Sequence, residues 1–312
     1  MAPSDDNIPT AIDVFCGAGL WSYAAQREGV IPIAGIDHDA AACASYQANH
    51  PHARCIHADV REVDFRVFTG VDLVLGSPPC ITYSCGAGTR RSDSDEALHF
   101  ARAVADIRPR AFILENVPDF ARFSSFRRMM RQFDDCFTYV HVLNAADFGV
   151  PQRRRRMFVV GARTPIPFAL VASRPPPSIG AILDPTAPMR PIESLSPGTR
   201  ARIAAIPAIR FILLYYSQDF RGWQSLDAPL RTVTTVNKFL LTDKRSGTAR
   251  MLTEHELRRA MAIPDSYTFC GSQRSRLRQI GNAVVPPVAR FVLRSALAAF
   301  RPCIAGVDVS PA

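Results

Sequence analysis

Lysine is almost missing from this chain of 312 residues: Lys238 and Lys244 are the only two among 37 basic residues, so arginine carries nearly all the positive charge. Apolar runs of the roughly 18–20 residues that span a bilayer are absent, which excludes a helical membrane anchor. The opening MAPSDDNIPT has neither a basic n-region nor an apolar core, so no secretory signal is expected there. None of the eight cysteines forms a CxxC pair, which leaves zinc binding little support, and their scatter does not suggest a secreted disulfide scaffold. Residues 17–22 read GAGLWS and lack the third glycine of a dinucleotide oxidoreductase fingerprint. No internal repeat is visible. What is present is a 47% hydrophobic, 21% charged composition, which predicts a packed core. The net charge of +9 fits a polyanionic partner such as nucleic acid, and fits equally the bias of an Arg-, Ala- and Pro-rich chain.

The first 160 residues alternate strand-like and helix-like segments. AIDVF (11–15), IPIAGID (31–37), RCIHAD (54–59), DLVLGS (72–77) and AFILEN (111–116) read as strands. Helices are expected near 21–29, 40–49 and 95–107, with further strands at 138–144 and 157–162. Such alternation predicts an α/β fold with a doubly wound, mostly parallel, Rossmann-like sheet. After position 163 the chain turns rich in Pro, Ser and Ala with weak periodicity, as in SRPPPS and DPTAPMRP. The expected domains are 1–163, a smaller loop-rich domain at 164–245, and a C-terminal segment, 246–312, returning to the first.

Five constellations could carry chemistry. Asp13-Val14-Phe15-Cys16-Gly17-Ala18-Gly19 is a strand ending in a GxG turn, where backbone can approach a cofactor. Asp37 and Asp59 close the second and third strands, placed to accept from ribose hydroxyls and an adenine amino group; the plain alternative for each is a helix cap. Gly76-Ser77-Pro78-Pro79-Cys80 holds a thiol on a proline-stiffened turn. Glu115-Asn116-Val117 ends the fifth strand, beside the Cys80 loop if the two strands are neighbours. In Gln152-Arg153-Arg154-Arg155-Arg156, strand alternation sends Arg154 and Arg156 one way and Arg153 and Arg155 the other. Gln279-Ile280-Gly281-Asn282 then precedes a Pro-started helix.

Taken in order, these segments resemble the DNA (cytosine-5) methyltransferase family of bacterial and phage type. DVFCGAG is similar to its S-adenosylmethionine motif, GSPPCITYS to its Pro-Cys motif, ENV to its glutamate motif, FGVPQRRRRMFVVG to its QxRxR motif, and QIGNAVVPPVA to its last motif. The resemblance covers most of the chain outside about 164–221, where the family keeps its target-recognition region. Leu20, Ile81, Tyr83 and Ala262-Ile263 depart from the usual residues without removing one that the chemistry needs.

The resemblance implies S-adenosylmethionine as cofactor, S-adenosylhomocysteine as product, no metal, and double-stranded DNA as partner. It implies catalytic roles for Cys80, Glu115, Arg154 and Arg156. Cofactor contacts are implied for Phe15, Gly17, Gly19, Asp37, His38, Asp59, Val60, Pro79 and Asn282, and DNA contacts for Ser84, Arg90, Arg91 and Thr232. Burial would raise the Glu115 pKa for its role at the base. A monomer in the bacterial cytoplasm or nucleoid is expected, and a cognate restriction endonuclease would act on the same site without a stable complex. Two alternatives stay open: an RNA (tRNA) cytosine-5 methyltransferase, and a non-catalytic DNA-binding paralogue. The tRNA enzymes carry a CFT motif in the recognition region, whereas Cys136-Phe137-Thr138 here lies upstream of the QxRxR segment.

Overall fold

The computed structural model describes residues 8–79, 95–166, 174–215, 222–298 and 300. The main sheet is built from β1 (Thr10–Val14), β2 (Ile31–Asp37), β3 (Arg54–His57), β4 (Leu73–Gly76), β5 (Ala111–Asn116), β6 (Phe137–Asn144) and β8 (Arg155–Ala162). Its strand order is β3-β2-β1-β4-β5-β8-β6. The first five strands are parallel, and β8 runs antiparallel to both neighbours. Helices α1 (Leu20–Arg27), α2 (Ala40–Asn49), α3 (Glu96–Ile107) and α4 (Ser124–Met130) lie between these strands in the chain.

Period-two alternation explains why the central strands bury both faces. In β4, Leu73 and Leu75 join one core with α1 and the C-terminal helix, while Val74 joins the other with α3. In β5, Ala111 and Ile113 face the first core, and Phe112 and Leu114 the second. The chain moves outward from β1 to β3, then returns to place β4 on the other side of β1. That reversal opens a crevice at the carboxyl ends of β1 and β4, the usual ligand position on such sheets.

The second region is more ordered than its composition predicts. It forms a five-stranded sheet of order β11-β10-β13-β14-β9, from β9 (Arg190–Pro191), β10 (Arg210–Leu214), β11 (Trp223–Ser225), β13 (Phe239–Asp243) and β14 (Thr248–Met251), with α5 (Pro197–Ala205) against it. All pairs in this sheet are antiparallel. β14 lies beyond position 245, where the sequence reading ends this region, because its register is set by pairing with β13 across a short turn. Two short strands, β7 (Gln152–Arg153) and β12 (Leu230–Arg231), pair in parallel and join the regions. The chain closes with α6 (Glu254–Ala260), α7 (Gln273–Asn282) and α8 (Pro286–Ala298), of which α8 packs on α1 and β5. No helix among the described residues is long and apolar enough to cross a membrane.

Candidate active site

β1 ends in a turn in which Phe15, Gly17 and Gly19 all take positive φ, 60°, 53° and 89°. A glycine carries the left-handed conformation at 17 and 19 without strain. The Gly17 N–H donates to Asp37 Oδ2 at 2.9 Å, and Asp37 Oδ1 accepts from the Asp39 N–H at 2.9 Å. Asp37 thus locks the turns after β1 and β2 together, with lone pairs remaining on each oxygen. Beneath them Asp13 is buried and accepts from the Ser22 amide and hydroxyl. Burial pushes its carboxyl well above the ordinary range.

β4 exits into Ser77-Pro78-Pro79. Trp21 Nε1 donates to Ser77 Oγ at 2.9 Å, and Asn116 Nδ2 donates to the Pro78 carbonyl at 3.3 Å. β4 and β5 are neighbours, as the Cys80–Glu115 reading requires. Cys80 itself lies outside the described residues, as do Ser84, Arg90 and Arg91. Glu115 is 5% exposed. Arg156 Nε stands 3.0 Å from Glu115 Oε1, close enough for charge pairing, yet that buried oxygen accepts no hydrogen bond among the described residues. An acceptor so placed awaits a donor.

The arginine run alternates as its spacing predicts: Arg154 is buried and Arg156 half-buried, while Arg153 and Arg155 are exposed. Arg154 donates to three carbonyls, Val233 at 3.0 Å, Gly281 at 2.8 Å and Ala283 at 3.1 Å. It therefore ties the start of β8 to the second region and to the end of α7. Gly281 is required there by contact, since a Cβ would fall 2.5 Å from the Thr234 carbonyl.

These elements enclose a cavity of about 220 Å³. Of the sequence-predicted residues, its wall includes Phe15, Gly17, Asp37, His38, Pro79, Glu115, Arg154, Arg156 and Asn282. Gly19, Asp59, Val60 and Thr232 stand outside it. Gly19 caps α1, with His50 Nε2 lying 3.0 Å from its carbonyl oxygen. Asp59 caps a 3-10 turn through the Arg61 amide and also takes the Arg61 guanidinium at 2.9 Å, which holds its carboxyl well below the usual range. Its cap role is the one displayed. The Val60 carbonyl accepts from Arg102. The Thr232 hydroxyl spends its single hydrogen on the Arg153 carbonyl at 2.8 Å, so in this conformation it has none to give to a phosphate.

Asn116 and Gln279, which stand inside two of the motifs but were given no site role, also line the cavity, as do Trp21 and Arg278, which sequence reasoning missed. Arg278 directly precedes Gln279, and Trp21 follows the glycine turn by two residues. Cys16 lines the wall as well, but burial pushes its thiol up to about 12, which rules it out as a thiolate at neutral pH. No group of metal-ligating side chains occurs among the described residues.

Comparison with known proteins gives a consistent result. The family model described as "C-5 cytosine-specific DNA methylase" matches residues 10–179 and 200–298. Type II methyltransferase M.PspPI of Psychrobacter is 28% identical over 91% of this chain and 78% of its own length. M1.HphI of Haemophilus parahaemolyticus is 27% identical over 92% of this chain and 86% of its own. M.XorII of Xanthomonas oryzae is 32% identical, over 51% of this chain and 42% of its own length. Among solved structures, DNMT2 of Spodoptera frugiperda superposes with a TM-score of 0.72 at 18% identity, covering 94% of this chain and 100% of that one. The methyltransferase EhMeth of Entamoeba histolytica gives 0.73 at 14%, covering 95% and 100%. At such identities the structural likenesses establish the fold.

Proposed function

This chain belongs to the C-5 cytosine-specific DNA methylase family, whose members use S-adenosylmethionine, and on that premise we propose that it methylates C5 of a cytosine swung out of a specific duplex sequence, through a covalent bond from Cys80 to C6. The observation that carries the reading is the meeting, on one cavity wall, of Pro79, Glu115 and Arg156 with the Gly17–Asp37 turn. Cys80 follows Pro79 directly in the chain.

The residues present fit the cofactor. The cavity pairs apolar side chains, Phe15, Trp21 and Val284, with the Asp37 carboxylate and the open backbone at Gly17, where no described residue comes within 4 Å of the place a Cβ would take. Phe15, Gly17, Asp37, His38, Pro79 and Asn282 would hold it. S-adenosylmethionine, when bound, supplies an electrophilic methyl group.

Ring carbon C5 of cytosine is a weak nucleophile. Addition of the Cys80 thiolate at C6 makes C5 enamine-like and able to take an electrophilic methyl group; loss of the C5 proton to water then re-forms the C5–C6 double bond and expels Cys80 as thiolate, so one hard step becomes several easier ones. Glu115, whose Oε1 pairs in charge with Arg156 but accepts no hydrogen bond among the described residues, shares a proton with ring N3 as negative charge builds. Arg156 donates to O2. Arg154, with its bonds to Val233, Gly281 and Ala283, orders the wall rather than the base. The target atom is buried in the base stack, so the nucleotide must be extruded at a cost of a few kcal/mol, offset by phosphate contacts. Ser84, Arg90 and Arg91 are assigned to that task, and Thr232 joins them once its hydroxyl leaves the Arg153 carbonyl. The chain acts as a monomer on DNA in the cytoplasm or nucleoid. It shares its site with a cognate restriction endonuclease where one is present, without forming a stable complex. The tRNA alternative loses ground because Phe137 and Thr138 begin β6, on the edge of the main sheet, away from the five-stranded one.

The test is expression of the wild type and Cys80→Ser in a host without cytosine-5 methylation, followed by bisulfite sequencing. A short motif protected by the wild type alone is expected, with the variant reduced at least about a thousandfold. Protection by Cys80→Ser would overturn the covalent mechanism. Soluble wild type that protects no motif would overturn the DNA target.

A further inference from the structure

Between β11 and β13 the chain leaves the five-stranded sheet and crosses to β7, the short strand that leads into β8 of the main one. A chain of contacts fixes where it lands. The Leu230 N–H donates to the Pro151 carbonyl at 2.9 Å, and Leu230 and Arg231 pair in register with Gln152 and Arg153. The Thr232 hydroxyl reaches the Arg153 carbonyl. The peptide groups of Val233 are then gripped from both sides: its N–H donates to Gln152 Oε1 at 2.9 Å, and its carbonyl accepts from Arg154 Nη1 at 3.0 Å. Thr234 comes to rest on the backbone of Gly281, which lines the cavity.

Gln152 is the least replaceable member. It is fully buried, and both ends of its amide are used: the oxygen on Val233, the nitrogen on the Ala260 carbonyl at the end of α6, at 2.9 Å. A carboxylate could accept from Val233 but not donate to Ala260, and an asparagine is one methylene short of spanning both. Removing the amide strands a buried N–H and a buried carbonyl, and the element that shifts in response is the crossing segment, whose remaining ties are a two-residue pairing and the Thr232 and Arg154 bonds, rather than the seven-stranded sheet.

We propose that Gln152 is a positioning residue for target discrimination: it sets where residues 230–234 stand against the cavity, and so how faithfully a base presented by the recognition region meets the reacting groups. This rests on the methyltransferase reading above. Gln152 does not touch the reacting atoms; it acts through Val233. A 1 Å displacement of such a support is enough to change rates strongly.

The experiment compares wild type with Gln152→Met, which keeps the volume and removes both bonds. The readouts are single-turnover methylation of the wild-type motif, of sites differing from it by one base pair, and calorimetric affinity for S-adenosylhomocysteine. The expected result is a discrimination ratio lowered about tenfold with cofactor-product affinity within about twofold. A loss of folded protein alone lowers all rates together and leaves the ratio unchanged, which would overturn the proposal. If Gln152→Met does not fold, Gln152→Asn decides: it keeps an amide at the position but is one methylene short of spanning Val233 and Ala260, and its ratio is expected to fall about threefold. An unchanged ratio there overturns the proposal as well. A wild type that methylates no motif overturns the functional reading itself, and that result is distinct from a specific wild type with unchanged variants.

Discussion

The two sheets of this protein are stabilised on different scales. The seven-stranded sheet is covered on both faces, and its central strands carry side chains such as Ile12, Leu73, Val74 and Ile113 with no exposed surface. The five-stranded sheet has a small core of its own on one face, made of Leu195, Ile203, Ile206, Phe211, Leu213, Leu240 and Ala249, while Ile212, Leu214, Phe239 and Leu241 on its other face join the large core. The cavity is built on the ends of the large sheet and closed by α7. The small sheet reaches it through one short pairing and the Val233 bracket. The large sheet thus frames the cavity, while the small sheet buries one face in the same core and touches the cavity through a single crossing segment.

The two tryptophans divide between these regions and report on them separately: Trp21 packs edge-on against Phe158, and Trp223 edge-on against Phe211. The largest expected effect pits the two cores against each other. Phe112, at the centre of the large sheet against Phe133, and Phe211, in the small core, are both essentially unexposed. Truncation of either to alanine costs about 3–5 kcal/mol locally. Phe112→Ala should lower the unfolding midpoint seen by both tryptophans and abolish cofactor-product binding. Phe211→Ala should shift the Trp223 signal alone, followed in a Trp21→Phe background, and weaken DNA binding while cofactor-product affinity survives. Coincident transitions in Phe211→Ala would mean that the two sheets unfold as one unit.

A smaller effect separates the regions by pH. His50 sits under the cavity turn beside Gly19, Tyr267 and Gln26, and burial lowers its pKa to about 4. In the unfolded chain it titrates near 6.5. Below that value the unfolded state takes up a proton that the folded state refuses, so the contribution of His50 to stability is lost as pH falls from about 6.5 to about 4, on the order of 3 kcal/mol in all. Asp13 has the opposite sign: its raised folded pKa favours the folded state as pH falls, which flattens the wild-type curve. The His50 term is therefore isolated as a difference. The stability advantage of wild type over His50→Gln should shrink across that window in urea melts followed by Trp21; an advantage independent of pH would mean that His50 titrates alike in both states.

The large sheet was legible in the sequence because its strands bury both faces and read as apolar runs between turn residues; AFILEN was placed to the residue. The small sheet was not, because its order comes from pairing of short strands such as WQS and TARM, none with a periodicity of its own. Among site residues, Asp37 and Asp59 end successive strands and looked equivalent. What separates them is Arg61, two positions after Asp59, whose guanidinium claims that carboxylate, while Asp37 is turned toward Gly17. The part played by Gln152 depends on Val233 and Ala260, 81 and 108 positions away, which no local pattern encodes.

The smallest expected effect tests whether the closing wall behaves as frame or as ligand contact. Helix α2 is joined to α7 by the buried Ser45–Gln279 bond at 2.6 Å, and to the segment leading into α7 by a reciprocal Asn49–Thr268 pair at 2.7 and 2.9 Å. At the cavity end of this seam Arg278 pairs with Asp39, which uses its other oxygen to cap α2. The guanidinium side chain is 53% exposed, so solvent screens the pair, and such pairs contribute about 0–1 kcal/mol. With the buried bonds left intact, Arg278→Ala should weaken cofactor-product binding by no more than about fivefold, and the difference from wild type should close in high salt. A loss of a hundredfold that persists in salt would mean that Arg278 grips the cofactor directly, and that the wall contributed by α7 belongs with the chemistry rather than with the frame.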